Sequence, residues 1–89
     1  MHVDEDPVRR EEDHAATFMA VQNLLLAGTA LGLATKINTG RIMDREELRE
    51  LVGVRSDERV VALINVGVPA ESRGEAKRTP AADKTTWLS

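Results

Sequence analysis

A run of 21 uncharged residues, numbers 15 to 35, dominates the pattern of hydrophobic and polar positions along the chain. Its length would span a bilayer, which needs about 20 predominantly apolar residues. Gln22 and Asn23 lie together near its middle, however, and amide groups in hydrocarbon must find hydrogen-bond partners. Because apolar residues surround nearly all sides, the pattern predicts a helix from about Ala15 to Leu33 that is enclosed by protein rather than lipid. Gly32 is placed to end this helix.

A short second helix is predicted after a polar loop. The loop, residues 36 to 41, contains the turn formers Asn, Thr and Gly. Asp44 is placed to cap the helix, Glu47 three positions later completes an Asp version of the capping box, and Gly53 is placed to end it. Its buried edge is expected to consist of the apolar side chains Leu48, Leu51 and Val52.

A nearly continuous apolar run predicts one strand, from Arg59 to Gly67. Such a run is typical of a central strand covered on both faces, and Pro69 closes it because proline cannot donate to a ladder. A central strand needs a neighbour on each side for its N–H and C=O groups. The sequence shows no second convincing strand. We therefore expect the chain to complete its core by oligomerising, by pairing with another polypeptide, or as part of something longer.

The composition of the 89 residues excludes several kinds of site and allows at most one small domain. There is no cysteine, which excludes disulfides and thiolate metal sites. His2 and His14 have no second ligand close by, so no metal site is expected. The net charge of −3 comes without a basic stripe, which argues against nucleic-acid binding. The first fourteen residues are acidic and do not resemble a signal peptide, which favours a cytoplasmic protein.

Charge and turn residues divide the chain into three parts. Residues 1–14 are an acidic leader that we expect to be a solvated, partly disordered tail. Residues 15–68 carry the predicted helices and strand. Residues 69–89 combine prolines, a glycine and mixed charges without periodicity, and they predict an extended arm. The arm ends in Trp87 and Leu88, and a tryptophan in a polar tail usually needs a place to bury its ring.

The residues that could carry chemistry are concentrated in one segment. No nucleophile–base–acid set and no glycine-rich phosphate loop stands out. The segment Lys36-Ile37-Asn38-Thr39-Gly40-Arg41 brings backbone amides, an amide side chain, a hydroxyl and two cations to the end of a rigid helix. Such a segment could bind an anion such as phosphate, although a plain connecting loop explains the same residues without a ligand. Lys77 and Arg78 form a second cation pair, for which a solvated tail is the alternative.

Taken in order, several segments resemble the C-terminal half of the FMN-dependent nitroreductase family. The resembling segments, roughly from residue 15 to residue 88, are AVQNLLLAGTALGLAT, KINTG, DREELRELVGV, SDERVVALINVGVP, KRTP and TTWL. The family shows a helix with a Gln-Asn-Leu core and an Ala-Leu-Gly-Leu-Gly ending. A flavin-contacting loop of the type Trp-Arg-Ser/Thr-Gly follows in one branch, then a Glu/Leu-rich helix and a strand with a Gly-x-Pro turn. Each motif is weak alone, and their order and spacing make the resemblance specific.

The resemblance implies an α/β (α+β) fold in an intertwined homodimer, with FMN at the dimer interface and the C-terminal arm over the partner. Ile37, Asn38, Thr39 and Gly40 would match the flavin-contacting loop, and Arg78 would match a cation near the FMN phosphate. The chemistry would be that of the cofactor: NAD(P)H reduces the flavin by hydride transfer, and the flavin reduces nitro groups, quinones or related acceptors. The protein would supply binding, orientation and electrostatics, so no catalytic side chain is assigned.

Three departures from the family pattern keep a second function open. Ile37 and Asn38 replace the Trp-Arg of the branch, which removes an aromatic wall and a fixed cation. Ala34 stands where glycine is usual, and the family's N-terminal half is absent from the sequence. The chain is therefore expected to be a nitroreductase-like oxidoreductase or a fragment of one, with its missing half possible on a separate chain. The alternative is a non-catalytic dimerising or interaction remnant of the family that does not turn over flavin.

Overall fold

The computed structural model describes residues 1–70 and 76–88, which form a long helix, a short helix and a small antiparallel sheet. Their order is α1 (Pro7–Ala30), β1 (Ala34–Asn38), a 3-10 turn (Arg41–Asp44), α2 (Glu46–Val52), β2 (Leu63–Gly67) and a second 3-10 turn (Ala81–Lys84). This confirms the predicted mixed fold class. Within the same residues, none of the helices combines the length and the apolar content that crossing a bilayer requires.

The long helix α1 begins eight residues before the predicted start at Ala15, so that prediction is wrong. Asp6 is the N-cap and its carboxylate accepts a hydrogen bond from the Val8 N–H at 3.0 Å. Pro7 occupies the first turn, where its missing N–H costs nothing. The second half of the acidic leader is thus the first two turns of a helix, not a disordered tail.

The end of α1 confirms the role expected of Gly32, which has a φ of +76°. The Gly32 N–H donates to the Thr29 carbonyl at 3.0 Å, and the Leu33 N–H donates to the Gly28 carbonyl at 2.9 Å. These two bonds form a Schellman motif, which turns the chain back along the helix. As a result β1 starts only four residues after the helix ends.

Strand β1 packs its Thr35 against the last turn of α1. Gly28 is the one buried residue of α1, and a Cβ built there would lie 2.8 Å from the Thr35 Cγ2. Ordinary carbon–carbon contacts are about 3.5–4.0 Å. The glycine therefore sets how closely strand and helix approach.

The sheet corrects two predictions made for residues 36–41 and 59–67. Residues 36–38, expected in a loop, belong to β1, which is the second strand that the sequence did not reveal. β2 starts at Leu63 rather than Arg59, and it pairs with β1 from Ala34↔Gly67 to Asn38↔Leu63. In the described part of the chain β2 has a neighbour on one side only. The chain thus supplies one of the two partners that a central strand needs.

Residues before β2 pair with the start of the chain instead of with a strand. The Arg59 N–H donates to the Met1 carbonyl at 2.8 Å, and the Met1 amine donates to the Arg59 carbonyl at 3.0 Å. The Val3 N–H donates to the Asp57 carbonyl at 2.8 Å. The first residues are therefore held in an antiparallel bridge, and this bridge fixes the backbone of Arg59.

Helix α2 ends as predicted but is not capped as predicted. Gly53, with a φ of +78°, ends it in the left-handed conformation. Arg45 is the N-cap and makes no side-chain capping bond, so the Asp44–Glu47 capping box does not form. Of the expected buried edge, Leu48 is half-buried, whereas Leu51 and Val52 are exposed.

The chain is far more open than a self-sufficient domain of its size. Met43 and Val60 are the buried apolar residues that the structure describes. The accessible surface is 7838 Å², whereas a compact monomer of this mass exposes about 5,200 Å². The radius of gyration is 17.0 Å, against about 12 Å for a compact domain of this length. The apolar faces of α1 that the sequence places inside protein are exposed in the single chain, at Met19, Leu24 and Leu26.

In the described residues of the predicted C-terminal arm, 69–70 and 76–88, the regular structure is the turn at Ala81–Lys84. Trp87 and Leu88 are 87% and 99% exposed. Residues 71–75 and 89 of that arm lie outside the described residues. The tryptophan ring thus has no burial site within its own chain among the described residues.

Candidate functional site

A pocket of about 330 Å³ opens between the first half of α1, the turn after β1 and the segment before β2. Each of these elements contributes polar and apolar groups, so the pocket combines charge with a hydrophobic wall. Its lining consists of His14, Phe18, Thr39, Gly40, Arg41, Met43, Asp44, Arg59 and Val61. Ligand sites in proteins have this mixed character.

The charged part of the pocket is built around Arg59. Its Nε donates to Asp44 Oδ1 at 2.9 Å and its Nη2 donates to Asp44 Oδ2 at 3.1 Å, which makes a bidentate ion pair. Its Nη1 lies 3.5 Å from the His14 Nε2. One guanidinium thus links α1, the first 3-10 turn and the segment before β2. This pair replaces the helix cap predicted for Asp44.

The electrostatics of Asp44 follow from this pair. The hydrogen bonds from Arg59 hold the pKa of the Asp44 carboxyl below its usual value. Both side chains remain partly open to solvent, so the interaction orients Arg59 more than it stabilises the fold. Charge-assisted bidentate pairs of this kind are directional. Arg59 is therefore fixed in the pocket with its charge offset by Asp44.

The backbone around Arg59 is braced by Arg49 of α2. Arg49 donates from Nη1 to the Glu58 carbonyl at 3.0 Å and from Nη2 to the Arg55 carbonyl at 3.2 Å. The turn between these carbonyls is closed by the Glu58 carboxylate, which accepts from the Arg55 N–H at 2.9 Å. Together with the bridge to Met1, these bonds position Arg59 from both sides.

The turn after β1 supplies a hydroxyl, an open backbone and a second cation. Gly40 has a φ of +105° and no atom within 4 Å of a Cβ built there, so the glycine serves the backbone conformation rather than a close contact. Thr39 and Arg41 flank it and line the pocket. Arg41 makes no ion pair within residues 1–70 and 76–88.

The apolar wall of the pocket consists of Phe18, Met43 and Val61. Met43 is fully buried, and the Phe18 ring meets the His14 ring edge-on with centroids 6.3 Å apart. The Phe18 ring is partly exposed. The wall is therefore buried at its base and open at the aromatic edge, where a flat ligand ring could pack.

Of the five residues predicted to contact the cofactor, two line the pocket and three do not. Thr39 and Gly40 line the pocket. Ile37 and Asn38 lie on β1 outside the lining, and the Asn38 amide donates across the sheet to the Leu63 carbonyl at 3.5 Å. Arg78 lies on the exposed segment after the undescribed residues and does not line the pocket.

Sequence reasoning missed most of the pocket. His14 ends the expected leader, Phe18 falls in the predicted helix, Asp44 is predicted as a helix cap, and Arg59 is predicted as the start of the strand. Arg41 belonged to the candidate segment, as one of its two cations. One signal is available: Arg59 is a charged residue directly before an apolar run that begins with the buried Val60, and charged groups drawn towards the interior are usually paired. No group of three or more potential metal ligands occurs in the described part of the chain.

Comparisons with known proteins agree on one family. A sequence profile described as "Nitroreductase family" matches residues 1–68. A Bacillus subtilis protein, YfhC, whose name describes it as an NAD(P)H nitroreductase, is 35% identical over 85 residues. That match covers 96% of this chain and 44% of the relative. The crystal structure of a nitroreductase-like family protein from Bacillus cereus superposes with a TM-score of 0.88 at 26% identity. It covers 99% of this chain and 47% of the other, so this chain spans about half the length of both relatives.

Proposed function

The chain belongs to the nitroreductase family, and from this premise we propose that it contributes the C-terminal half of an FMN-dependent NAD(P)H oxidoreductase that reduces nitro or quinone-type acceptors. The observation that carries the proposal is the pocket beside Gly40. It lies within the residues that match the family. It places Arg41, which makes no ion pair among the described residues, and the Thr39 hydroxyl beside an apolar wall, a combination that suits a flat ring carrying a hydroxyl-rich chain.

The residues of the pocket fit one part of FMN. Arg41 and the Thr39 hydroxyl can hold an anionic or hydroxyl-rich group, while Phe18 and Val61 offer a surface for a ring. The volume of about 330 Å³ is at the lower end of the roughly 300–1,000 Å³ of small-molecule sites. The remaining surface of the cofactor would have to be covered by another chain.

The expected division of labour places the redox chemistry on the cofactor. Bound FMN would supply hydride acceptance from NAD(P)H and delivery to the acceptor. The residues of this chain bind and orient: Arg41 offsets negative charge, Thr39 offers a hydroxyl, and Met43 and Phe18 keep water from one side of the pocket. The proposal includes a cytoplasmic location, where a nicotinamide reductant is supplied.

The proposed assembly is a homodimer or intertwined oligomer, with a separate chain carrying the family's N-terminal half as the second possibility. The support is the excess of accessible surface together with the exposed apolar residues of α1. A chain with so little buried apolar surface cannot offset the entropy of folding alone. Trp87 would find its burial site on the partner chain.

A non-catalytic family remnant is the second candidate function, and two contacts favour it. Arg59 is neutralised by Asp44 within the pocket, and Asn38 is engaged in the sheet rather than directed to a ligand. Such a chain would keep the family's dimer-forming helix without turning over flavin.

A flavin titration with matched variants separates the two functions. The proposal predicts saturable FMN binding by the purified chain, weakened about tenfold by Arg41→Ala and by less for Thr39→Ala. Lys36→Ala is the control, because Lys36 lies on β1, is exposed and does not line the pocket. Absence of FMN binding by the folded oligomer would favour the remnant, and equal losses for Lys36→Ala and Arg41→Ala would rule out this pocket as the flavin site.

A further inference from the structure

We infer that Asp44 determines the charge preference of this pocket: by holding Arg59 in a bidentate pair, it makes the pocket favour neutral or weakly charged hydroxyl-bearing groups over a phosphate dianion. The inference concerns the same pocket as the proposed function and rests on it for the nature of the ligand. It adds a specificity-determining residue that neither the comparisons nor the sequence assign.

The first argument is that most hydrogen-bond donors of Arg59 are already engaged. Both carboxylate oxygens of Asp44 are occupied by this one guanidinium, and the His14 ring faces its remaining terminal nitrogen. Arg59 therefore keeps only part of its donor set for a ligand. An incoming phosphate would compete with a carboxylate that is already fixed at hydrogen-bonding distance.

The second argument is the balance of positive and negative charges that line the pocket. Its lining contains two arginines, one carboxylate and one histidine. The Arg59 and Asp44 charges cancel at short range, which leaves Arg41 as the cation available to a ligand. One cation with a hydroxyl suits a polar or singly charged group, whereas sites for phosphate dianions usually combine several donors and cations.

The third argument is that Asp44 lies just before α2 without capping it. It is the last residue of the 3-10 turn Arg41–Asp44, which also contains Met43, and it contributes no cap to α2. Its carboxylate therefore has no helix-capping bond to explain its place. Both of its oxygens instead accept hydrogen bonds from the Arg59 guanidinium in the pocket.

Titration with inorganic phosphate tests the inference on the full chain. Backbone amide signals of Gly40 and Arg41 and the side-chain Nε–H signal of Arg59 would be followed by NMR for the natural chain and for Asp44→Asn. The amide oxygen introduced by the substitution can still accept a bond from Arg59, while the negative charge is gone. Phosphate affinity is expected to rise about tenfold, because one unit charge at short range in a half-exposed site has about that effect. The gain is expected to shrink as salt is added.

Glu47→Gln is the matched control. Glu47 lies on the neighbouring helix α2, is exposed, and forms a loose ion pair with Arg45 at 3.7 Å. It removes the same charge from the chain without touching the pocket, and phosphate affinity should change by less than about twofold. An equal gain in both variants, no gain in Asp44→Asn, or no phosphate binding by any form would overturn the inference.

Two further arms keep the test decisive. If Asp44→Asn does not fold, Arg41→Gln and the double variant Asp44→Asn/Arg59→Gln replace it: the first should weaken phosphate binding about tenfold, and the second, which removes two charges that cancel, should change it by less than about threefold. Equal losses would overturn the inference. Parallel titrations with FMN separate the inference from the proposed function. Higher phosphate affinity in Asp44→Asn, with no FMN binding by any form, would support the inference and reject the proposed function. FMN binding, with a phosphate affinity that is the same in Asp44→Asn as in the natural chain, would support the function and reject the inference.

Discussion

Replacing Gly28 with alanine should destabilise the chain, although alanine is the better helix former. Gly28 lies in the last turn of α1, and a Cβ there would lie 2.8 Å from the Thr35 Cγ2. The propensity gain of Gly→Ala is up to about 1 kcal/mol. Overpacking of a tight contact costs about 1–3 kcal/mol. Because Thr35 sits in a strand that the Schellman turn ties to the helix, the second effect should prevail by about 1 kcal/mol.

A double-mutant cycle with Thr35→Ala isolates this contact. Removing the Cγ2 methyl removes the overlap, so Gly28→Ala in the Thr35→Ala background should stabilise by its propensity gain. The expected coupling is about 2 kcal/mol, well above the roughly 0.3–0.5 kcal/mol within which independent sites add. Thr35→Val is the control, since valine keeps a methyl group in the same place and should give no rescue.

The assay is urea unfolding followed by far-ultraviolet circular dichroism at one fixed protein concentration. The single tryptophan is exposed and would report poorly on unfolding. A change of about 1 kcal/mol corresponds to a melting-temperature shift of about 4–8 °C in a chain of this size. The reasoning is refuted if Gly28→Ala stabilises the natural chain, or if the coupling with Thr35→Ala falls below about 0.5 kcal/mol.

Three further perturbations have defined outcomes. Asp44 has a lowered pKa in the folded chain, so as pH falls the unfolded chain takes up the proton first. The urea midpoint of the natural chain, relative to that of Asp44→Asn, should be constant above the unfolded pKa and fall as pH drops through the folded pKa. A difference in midpoint that does not depend on pH would contradict this. Gly53→Ala should lower the free energy of unfolding by about 1 kcal/mol, because Gly53 has a φ of +78°. Gly67→Ala should not, because Gly67 has an ordinary φ and open space around it. Equal urea midpoints for the two variants would count against that reason. Arg49→Met should loosen the turn at Glu58 by removing two carbonyl contacts, seen as faster hydrogen exchange there, and unchanged exchange would show that the turn holds without Arg49.

Features set by neighbouring residues could be predicted from the sequence. Gly32 and Gly53 end their helices as expected, because a left-handed C-terminal glycine depends only on the adjacent turn. The start of α1 at Pro7 is set equally locally, yet the predicted start is Ala15. Asp6-Pro7 is a cap followed by a first-turn proline, but the surrounding charges made the segment resemble a disordered tail.

Features set by distant residues could not be predicted in the same way. β1 contains Lys36 and Asn38 next to turn formers, and only its antiparallel partner Leu63–Gly67 makes it a strand. Asp44 has a local capping position open to it and instead pairs with Arg59, fifteen residues away. Short-range rules favour Asp44 as a helix cap, whereas the tertiary fold brings Arg59 close enough to form the ion pair instead.

The candidate site shows the same limit. The segment around Gly40 was identified because its residue types suit an anion, and its Thr39 and Gly40 do line the pocket. The groups opposite come from residues 14 and 59, which only the packing of α1 against the segment before β2 brings together. The flavin contacts expected of Ile37, Asn38 and Arg78 stay predictions about the assembled protein.

Sedimentation velocity with detection in the flavin absorbance band tests the central proposal most directly, that this chain, which spans about half the length of its relatives, forms a flavin site together with a second chain. The chain has a mass of 9.8 kDa. We expect FMN absorbance to travel with a species of about twice that mass, and to be reduced there in Arg41→Ala but not in Lys36→Ala. A folded species of one chain, or a two-chain species that sediments without flavin, would contradict it.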